Sequence, residues 1–302
     1  MEFGYDGRLF VLAFDHRGSF KTKMFGIGGR EETPEETERL REAKSLVWEG
    51  YLSAAESGLP DGAGVLVDEE MGADVARAAK ERGVTLAMPV ECSGQPVFDF
   101  EYGDEFGDHI EAFDPDFAKV LVRWNPDDSD PIKAVQSDRL KRLSDWLHES
   151  DRRLLFELLV PASERQMEAV GGDGAAYDTH VRPILMLRVI QEILDAGIEP
   201  DVWKIEGIDA TEHCALVADL TMAGGREGVK SVVLGRGADD AKVDHWLRQG
   251  APVPGYAGFA IGRSIWWDGV AAWKDGSMER SAAAAAIGEG YRRFIDVYTG
   301  AV

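Results

Sequence analysis

Eight short apolar runs, each followed by turn residues and separated by stretches of helical period, constrain this chain more than any other feature. They are Leu9–Arg17 (LFVLAFDHR), Ala63–Glu70 (AGVLVDEE), Thr85–Ser93 (TLAMPVECS), Ala118–Asn125 (AKVLVRWN), Arg153–Pro161 (RLLFELLVP), Asp201–Gly207 (DVWKIEG), Ser231–Gly237 (SVVLGRG) and Tyr256–Ser264 (YAGFAIGRS). Most are continuous rather than alternating, the pattern of strands covered on both faces. Thr33-Pro34-Glu35-Glu36 is a capping box with Pro at the first helical position, and its helix runs towards Gly58. Gly72–Arg82 is a short helix stopped by Gly83, Ser129-Asp130-Pro131 opens one ending near Ser150, and Asp178–Gly197 holds another. Asp209 with Glu212 reads as the cap of a helix to Ala223, Ala238–Gln249 precedes Gly250, and Met278–Tyr298 closes the chain. Eight strands alternating with helices over 302 residues predict one α/β domain, residues 1–302, folded as a (β/α)8 TIM barrel. A doubly wound open sheet is the alternative, because strand number alone does not show closure.

Charge narrows the partners. The chain has 33 Lys+Arg against 55 Asp+Glu, a net charge of −22, which repels phosphate backbones and anionic lipid. Nucleic acid and membrane are therefore not expected as partners. Cys92 and Cys214 are too few for a disulfide framework and fit a reducing compartment. The first residues show no basic segment followed by an apolar run, and nothing approaches the ~20 apolar residues of a spanning helix. The expectation is a globular, cytoplasmic protein.

In a barrel of this kind the chemistry lies at the C-terminal ends of the strands, and polar residues gather there. The first run ends Asp15-His16-Arg17, the second Asp68-Glu69-Glu70 and the third Glu91-Cys92-Ser93. The fourth carries Lys119 and Arg123, the fifth Glu157, the sixth Lys204 and Glu206, the seventh Arg236 and the eighth Arg263. Lys204 sits among Val202, Trp203 and Ile205, so it must be paired or lose its proton. A depressed pKa would make its amine a nucleophile for a carbonyl; an ion pair with Glu157 or Glu206 is the structural alternative. Lys119 is either a second cation that lowers the pKa of Lys204 or a lysine at the start of a strand pointing to solvent. Glu157, inside an apolar run, either pairs with a lysine or is an acid/base with a raised pKa. Asp15 reads the same way, or caps the next turn.

Leu234-Gly235-Arg236-Gly237 and Gly258 to Ser264 follow the last two strands, the usual phosphate position of such barrels. There Gly235 and Gly262 let backbone N–H groups approach an anion, and Arg236 and Arg263 supply charge. Other features read as ordinary. Gly26-Ile27-Gly28-Gly29 matches no nucleotide motif and is read as a mobile loop. Six scattered histidines support no metal site, and Asp68, Glu69 and Glu70 read as a solvated acidic loop, with a Mg²⁺ site shared with Glu91 as the lesser reading. No metal and no cofactor is expected. Trp266 and Trp267 read as barrel or interface packing.

AFDHRGSF, AKVLVRWNP, LLFELLVP, VWKIEG and GFAIGRSIW, on five different strands in order, together resemble the class I tagatose-1,6-bisphosphate aldolase superfamily. The closest branch contains the 2-deoxy-5-keto-gluconate-6-phosphate aldolase domain of myo-inositol catabolism. The likeness implies a lyase working through a Schiff base on Lys204. It assigns the strand-four lysine to Lys119, the strand-five glutamate to Glu157, the strand-one aspartate to Asp15 and the phosphate clamp to Gly262 and Arg263. Arg17, Glu91, Arg123, Gly235 and Arg236 complete the candidate substrate contacts. Arg123-Trp124 replaces an aromatic pair of the tagatose-bisphosphate aldolases, and the extra arginine suits a carboxylate or second anion. The implied substrate is a phosphorylated keto-sugar acid; a sugar bisphosphate, a sulfonated sugar phosphate or a non-catalytic sugar-phosphate binding role are the alternatives. A homo-oligomer is possible.

Overall fold

The apolar runs pair in chain order. A computed structural model describes residues 3–301. Its strands are β1 (Leu9–Ala13), β2 (Ala63–Leu66), β3 (Thr85–Pro89), β4 (Phe117–Arg123), β5 (Arg153–Leu159), β6 (Val202–Glu206), β7 (Lys230–Leu234) and β8 (Tyr256–Ile261). All are parallel, and β8 returns to β1 with Leu9 opposite Gly258, so the sheet is a closed barrel and the open-sheet alternative falls.

Successive side chains of a strand point to opposite faces, and this sorts the core into two parts. Phe10, Leu12, Phe156, Trp203, Ile205 and Phe259 face outwards and pack under the helices. Leu9, Val11, Leu66, Phe117, Leu155, Val202 and Val232 face inwards and fill the lower barrel, with Tyr5 packed against them. Continuing the same parity upwards brings Lys119 two residues after Phe117, Glu157 two after Leu155, and Lys204 two after Val202. Closure therefore turns these three charged residues inwards, and each is buried.

Among the described residues eleven α-helical segments surround the strands: α1 (Pro34–Glu56), α2 (Glu69–Glu81), α3 (Phe106–Phe113), α4 (Asp130–Glu149), α5 (Glu164–Ala169), α6 (Gly174–Ala176), α7 (Arg182–Asp195), α8 (Thr211–Met222), α9 (Asp240–Gly250), α10 (Arg263–Asp275) and α11 (Arg280–Thr299). The capping box opens α1 as expected, with Thr33 and Glu36 bonded reciprocally. Helix α2 starts earlier than Gly72, because Asp68 caps it by accepting the Met71 N–H at 2.8 Å. Asp209 is not the cap of α8; its carboxylate instead accepts from Lys242 Nζ at 2.6 Å, Trp246 Nε1 at 2.8 Å and Thr179 Oγ1 at 2.8 Å. Gly26–Gly29 is a loop, with its three glycines exposed and Ile27 buried, and it follows a π-helical turn over Phe20–Met24. Trp266 belongs to the barrel: it is buried and donates to the Ala13 carbonyl at 2.9 Å.

The acidic stretch at the end of β2 is not a solvated loop. Asp68 is fully buried against Lys44 of α1, which also donates to the carbonyls of Phe14 and, at 2.9 Å, His16. Removing one partner of a buried pair leaves an uncompensated charge, so Lys44→Met is expected to lower unfolding stability by about 3–5 kcal/mol. Denaturant unfolding measures it, and adding Asp68→Asn, which keeps a cap for Met71, is expected to recover part of the loss. A single-variant loss below about 1 kcal/mol would mean that the pair carries no more than a surface bridge.

Candidate functional site

A cavity of about 420 Å³ opens at the C-terminal ends of the strands, and its lining contains Asp15, Arg17, Glu91, Lys119, Arg123, Glu157, Lys204, Gly235, Arg236, Gly262 and Arg263. Every candidate residue named from the sequence is thus brought to one place. At its floor lies a chain of buried charges. Lys204 Nζ donates to Glu157 Oε2 at 3.0 Å, and the same oxygen lies 3.0 Å from Lys119 Nζ. Lys119 also donates to Asp15 Oδ2 at 2.8 Å and Glu91 Oε1 at 2.9 Å. The reading of Lys119 as a solvent-facing lysine is overturned by its 1% exposure.

Burial opposes charge on all of these groups, and the ion pairs decide the outcome. Burial would raise Asp15 and Glu157, yet Lys119 and Lys204 hold both carboxyls below their ordinary range. Of the two readings of Glu157, the lysine pairing holds and the raised pKa does not; its carboxyl lies between two lysines. Lys119 is desolvated, but Asp15, Glu157 and Glu91 raise its pKa above the usual lysine value. Its ammonium meets the carboxyl groups of Asp15, Glu91 and Glu157, and Glu157 Oε2 stands between it and Lys204. Glu91 is the carboxyl pushed up: burial raises it, and Lys119 and Arg17 do not bring it back.

The rim divides the arginines. Arg236 is pinned, with Nε 3.0 Å from Glu206 Oε1 and Nη1 2.8 Å from Asp178 Oδ1. Its expected role as a free anion contact is thereby weakened. Arg263, the first residue of α10, donates to the Arg236 carbonyl at 2.9 Å, and Arg123 to the Gln95 carbonyl at 2.9 Å. Among the described residues neither has a carboxylate partner. Gly237 lies in the left-handed region at φ 72°, and a Cβ there would meet the Arg263 guanidinium at 2.8 Å, so the seventh-strand glycine that the backbone requires is Gly237. Gly262 answers to packing, because a Cβ would lie 2.2 Å from the Ala13 carbonyl. His16, assigned no role from the sequence, also lines the cavity, as do Gly237 of the phosphate segment and Glu206, which parity from Lys204 turns inwards. The acids considered for Mg²⁺ do not converge: Asp68 meets Lys44, Glu70 meets Lys21, and Glu91 meets Lys119 and Arg17.

A family model described as "Uncharacterized protein conserved in bacteria (DUF2090)" matches residues 5–302. The chain belongs to the DUF2090 family. No curated protein matches it in sequence. Among solved structures it is similar to an archaeal fructose 1,6-bisphosphate aldolase, with a TM-score of 0.61, 13% identity and coverage of 97% of this chain and 94% of that one. A Schiff-base-forming fructose-1,6-bisphosphate aldolase gives a TM-score of 0.59 at 13% identity, covering 97% and 94%. Cgl0159 from Corynebacterium glutamicum gives 0.59 at 17% identity, covering 97% and 88%. Identities this low carry the barrel and not the chemistry.

In this DUF2090 chain His16 adds a titration of its own. Burial lowers its pKa from 6.5 to about 4, with Lys44, Arg263 and Lys204 assisting and Asp15 only partly opposing. The unfolded chain therefore takes up a proton at His16 that the folded one refuses, and stability falls as pH drops from 6.5 through about 4. With its face partly open, the loss is on the order of 2 kcal/mol. His16→Gln is expected to flatten that portion of the stability–pH curve in denaturant titrations; an unchanged slope would mean the histidine titrates normally.

Proposed function

We propose that this chain is a metal-independent class I aldolase that cleaves a phosphorylated keto-sugar acid. The observation that carries the reading is a buried amine, Lys204, paired to Glu157 at the floor of the cavity, with Arg263, which has no carboxylate partner among the described residues, at its rim. The Lys204 amine attacks the substrate ketone, and the protonated imine draws the electron pair of the breaking C–C bond. Glu157 and Asp15, both held ionised, accept protons: one from the attacking nitrogen and one from the hydroxyl that becomes the aldehyde. Lys119 keeps both carboxylates charged and faces the substrate oxygens. Arg263, the N-terminus of α10 and the loop after β7 hold the phosphate. The aldolase neighbours lend the same chemistry support through their fold.

Arg123, on the opposite side of the barrel from β8, favours a second anionic group. This supports 2-deoxy-5-keto-gluconate 6-phosphate as substrate, giving dihydroxyacetone phosphate and malonate semialdehyde, and a place in the myo-inositol branch of the superfamily. Tagatose or fructose bisphosphate, or a sulfonated sugar phosphate, is the second reading; of these, fructose bisphosphate is the substrate of the aldolase neighbours. The charge pattern suits a soluble cytoplasmic enzyme, and no described helix is long and apolar enough to cross a membrane.

Borohydride reduction with dihydroxyacetone phosphate in EDTA, followed by peptide mass mapping, is expected to place a covalent adduct on Lys204. Lys204→Ala is expected to lose turnover while remaining folded. An adduct on another lysine would move the site, and no adduct at a concentration shown to bind would overturn the mechanism. Arg123→Leu is expected to lower kcat/KM for the keto acid by about 10- to 100-fold, a loss typical of one charge-assisted contact. A sugar monophosphate with a neutral far end should be nearly unaffected; equal losses on both would remove the case for an acid substrate.

A further inference from the structure

Glu91 is the cavity carboxyl whose hydrogen bonding is least complete. Its Oε1 faces Lys119 at 2.9 Å and Arg17 at 3.4 Å, but its Oε2 is buried with no hydrogen-bond partner among the described residues. The side chain lines the cavity and is 7% exposed. A buried carboxylate oxygen without a donor is costly, whereas a carboxylic acid makes of that oxygen an O–H with a proton to give.

Charge balance points the same way. An amine attacks a ketone only without its proton. In the attacking state, once Lys204 has given up its proton, the cations of Lys119 and Arg17 balance Asp15 and Glu157, and a proton kept on Glu91 spares the buried site a further negative charge. Glu101, which also takes Arg17 at 2.8 Å, adds to the negative charge there.

We propose that Glu91 rests as a carboxylic acid and is the catalytic acid that expels water from the carbinolamine. The inference builds on the Schiff-base reading above. Lys204 Nζ bonds to the ketone carbon as the C=O pair moves to oxygen, and the nitrogen proton taken up by the accepting carboxylate is passed on to that oxygen, which leaves that carboxylate ionised again. The C–O bond then breaks with its pair, the Glu91 proton goes to the departing oxygen, water leaves, and the nitrogen lone pair completes C=N. The iminium gains one positive charge as Glu91 gains one negative, so no proton is drawn from solvent. Burial of Glu91 favours the resting acid.

Around Glu91 stand Lys119 from β4, Asp15 and Arg17 after β1, Glu157 from β5, and Cys92 and Glu101 from its own loop. Activity is expected to fall as pH rises through the raised pKa of Glu91. Glu91→Gln keeps the shape and removes both proton and titration. The carboxylic-acid C=O band in the infrared difference spectrum of the ligand-free protein should be lost in that variant. Rapid-quench mass spectrometry with dihydroxyacetone phosphate should show imine formation slowed at least about 100-fold. An adduct heavier by one water and resistant to borohydride should accumulate in its place, and the alkaline limb should vanish. Glu91→Asp, which keeps an acid, should restore part of the rate and the limb. Absence of any Lys204 adduct in the wild type would overturn the Schiff-base reading itself. A wild-type adduct formed equally fast in Glu91→Gln, with the limb unchanged, would overturn only the role of Glu91.

Discussion

One ammonium holds the upper interior of this barrel together. Lys119 stands where the carboxyl groups of Asp15 after β1, Glu91 after β3 and Glu157 on β5 converge, and lies within 3.0 Å of all three. Burying any one of these charges alone costs several kcal/mol. Burying them around a shared centre lets Coulomb attraction at short range offset desolvation. The register does the rest, because Glu157 and Lys204 are lateral partners on neighbouring strands and parallel partners point to the same face. Lys204 is thus tied to Lys119 through one carboxylate oxygen, and its amine has a fixed position at the cavity floor.

A second set of buried cations lies outside the barrel wall and fixes the loops that carry the site. Lys44 of α1 binds the carbonyls of Phe14 and His16 on either side of Asp15 and is itself neutralised by Asp68. Arg182 of α7 donates to the Gly207 carbonyl at 2.8 Å and to Asp178 at 2.9 Å, and Asp178 in turn holds Arg236. In both cases a helix reaches under a βα loop and satisfies backbone oxygens that no strand partner reaches. Side chains placed on such loops need this support to keep a working geometry.

The strands were legible because a parallel sheet covered on both faces reads as continuous apolar sequence, and the capping box at Thr33 was legible because its chemistry is local. What escaped depended on distant partners. Asp209 has the look of a helix cap, but Lys242 and Trp246 of α9 draw its carboxylate away. The π-helical turn over Phe20–Met24 has no signal in the sequence, because Phe20 finds its burial against Trp266 of a distant helix. Helices α3, α5, α6 and α10 were missed: the first three have eight residues or fewer, and α10 begins inside the Gly-Arg motif that reads as a loop. The gathering of the candidate residues was foreseeable from strand ends alone. Which face of the strand Lys119 occupies was not, since parity orders side chains along a strand but only closure says which side is the interior.

The same electrostatics bear on how a substrate would lie. A chain carrying −22 overall discourages anions at long range, so recognition of one must come from cations at contact distance. Three arginines line the rim across the cavity, and they are not equivalent. Glu206 and Asp178 neutralise Arg236, whose contribution is then a carbonyl that orients Arg263. The guanidiniums left without carboxylates sit at β8 and β4, on opposite sides of an eight-stranded ring, with the Lys204 amine deeper on β6. Under the proposed chemistry a substrate with an anion at each end spans that diameter, its phosphate against α10 and its acid against Arg123. A shorter ligand with one anion engages only one rim, which leaves the choice of reacting carbon to how far that rim stands from the buried amine.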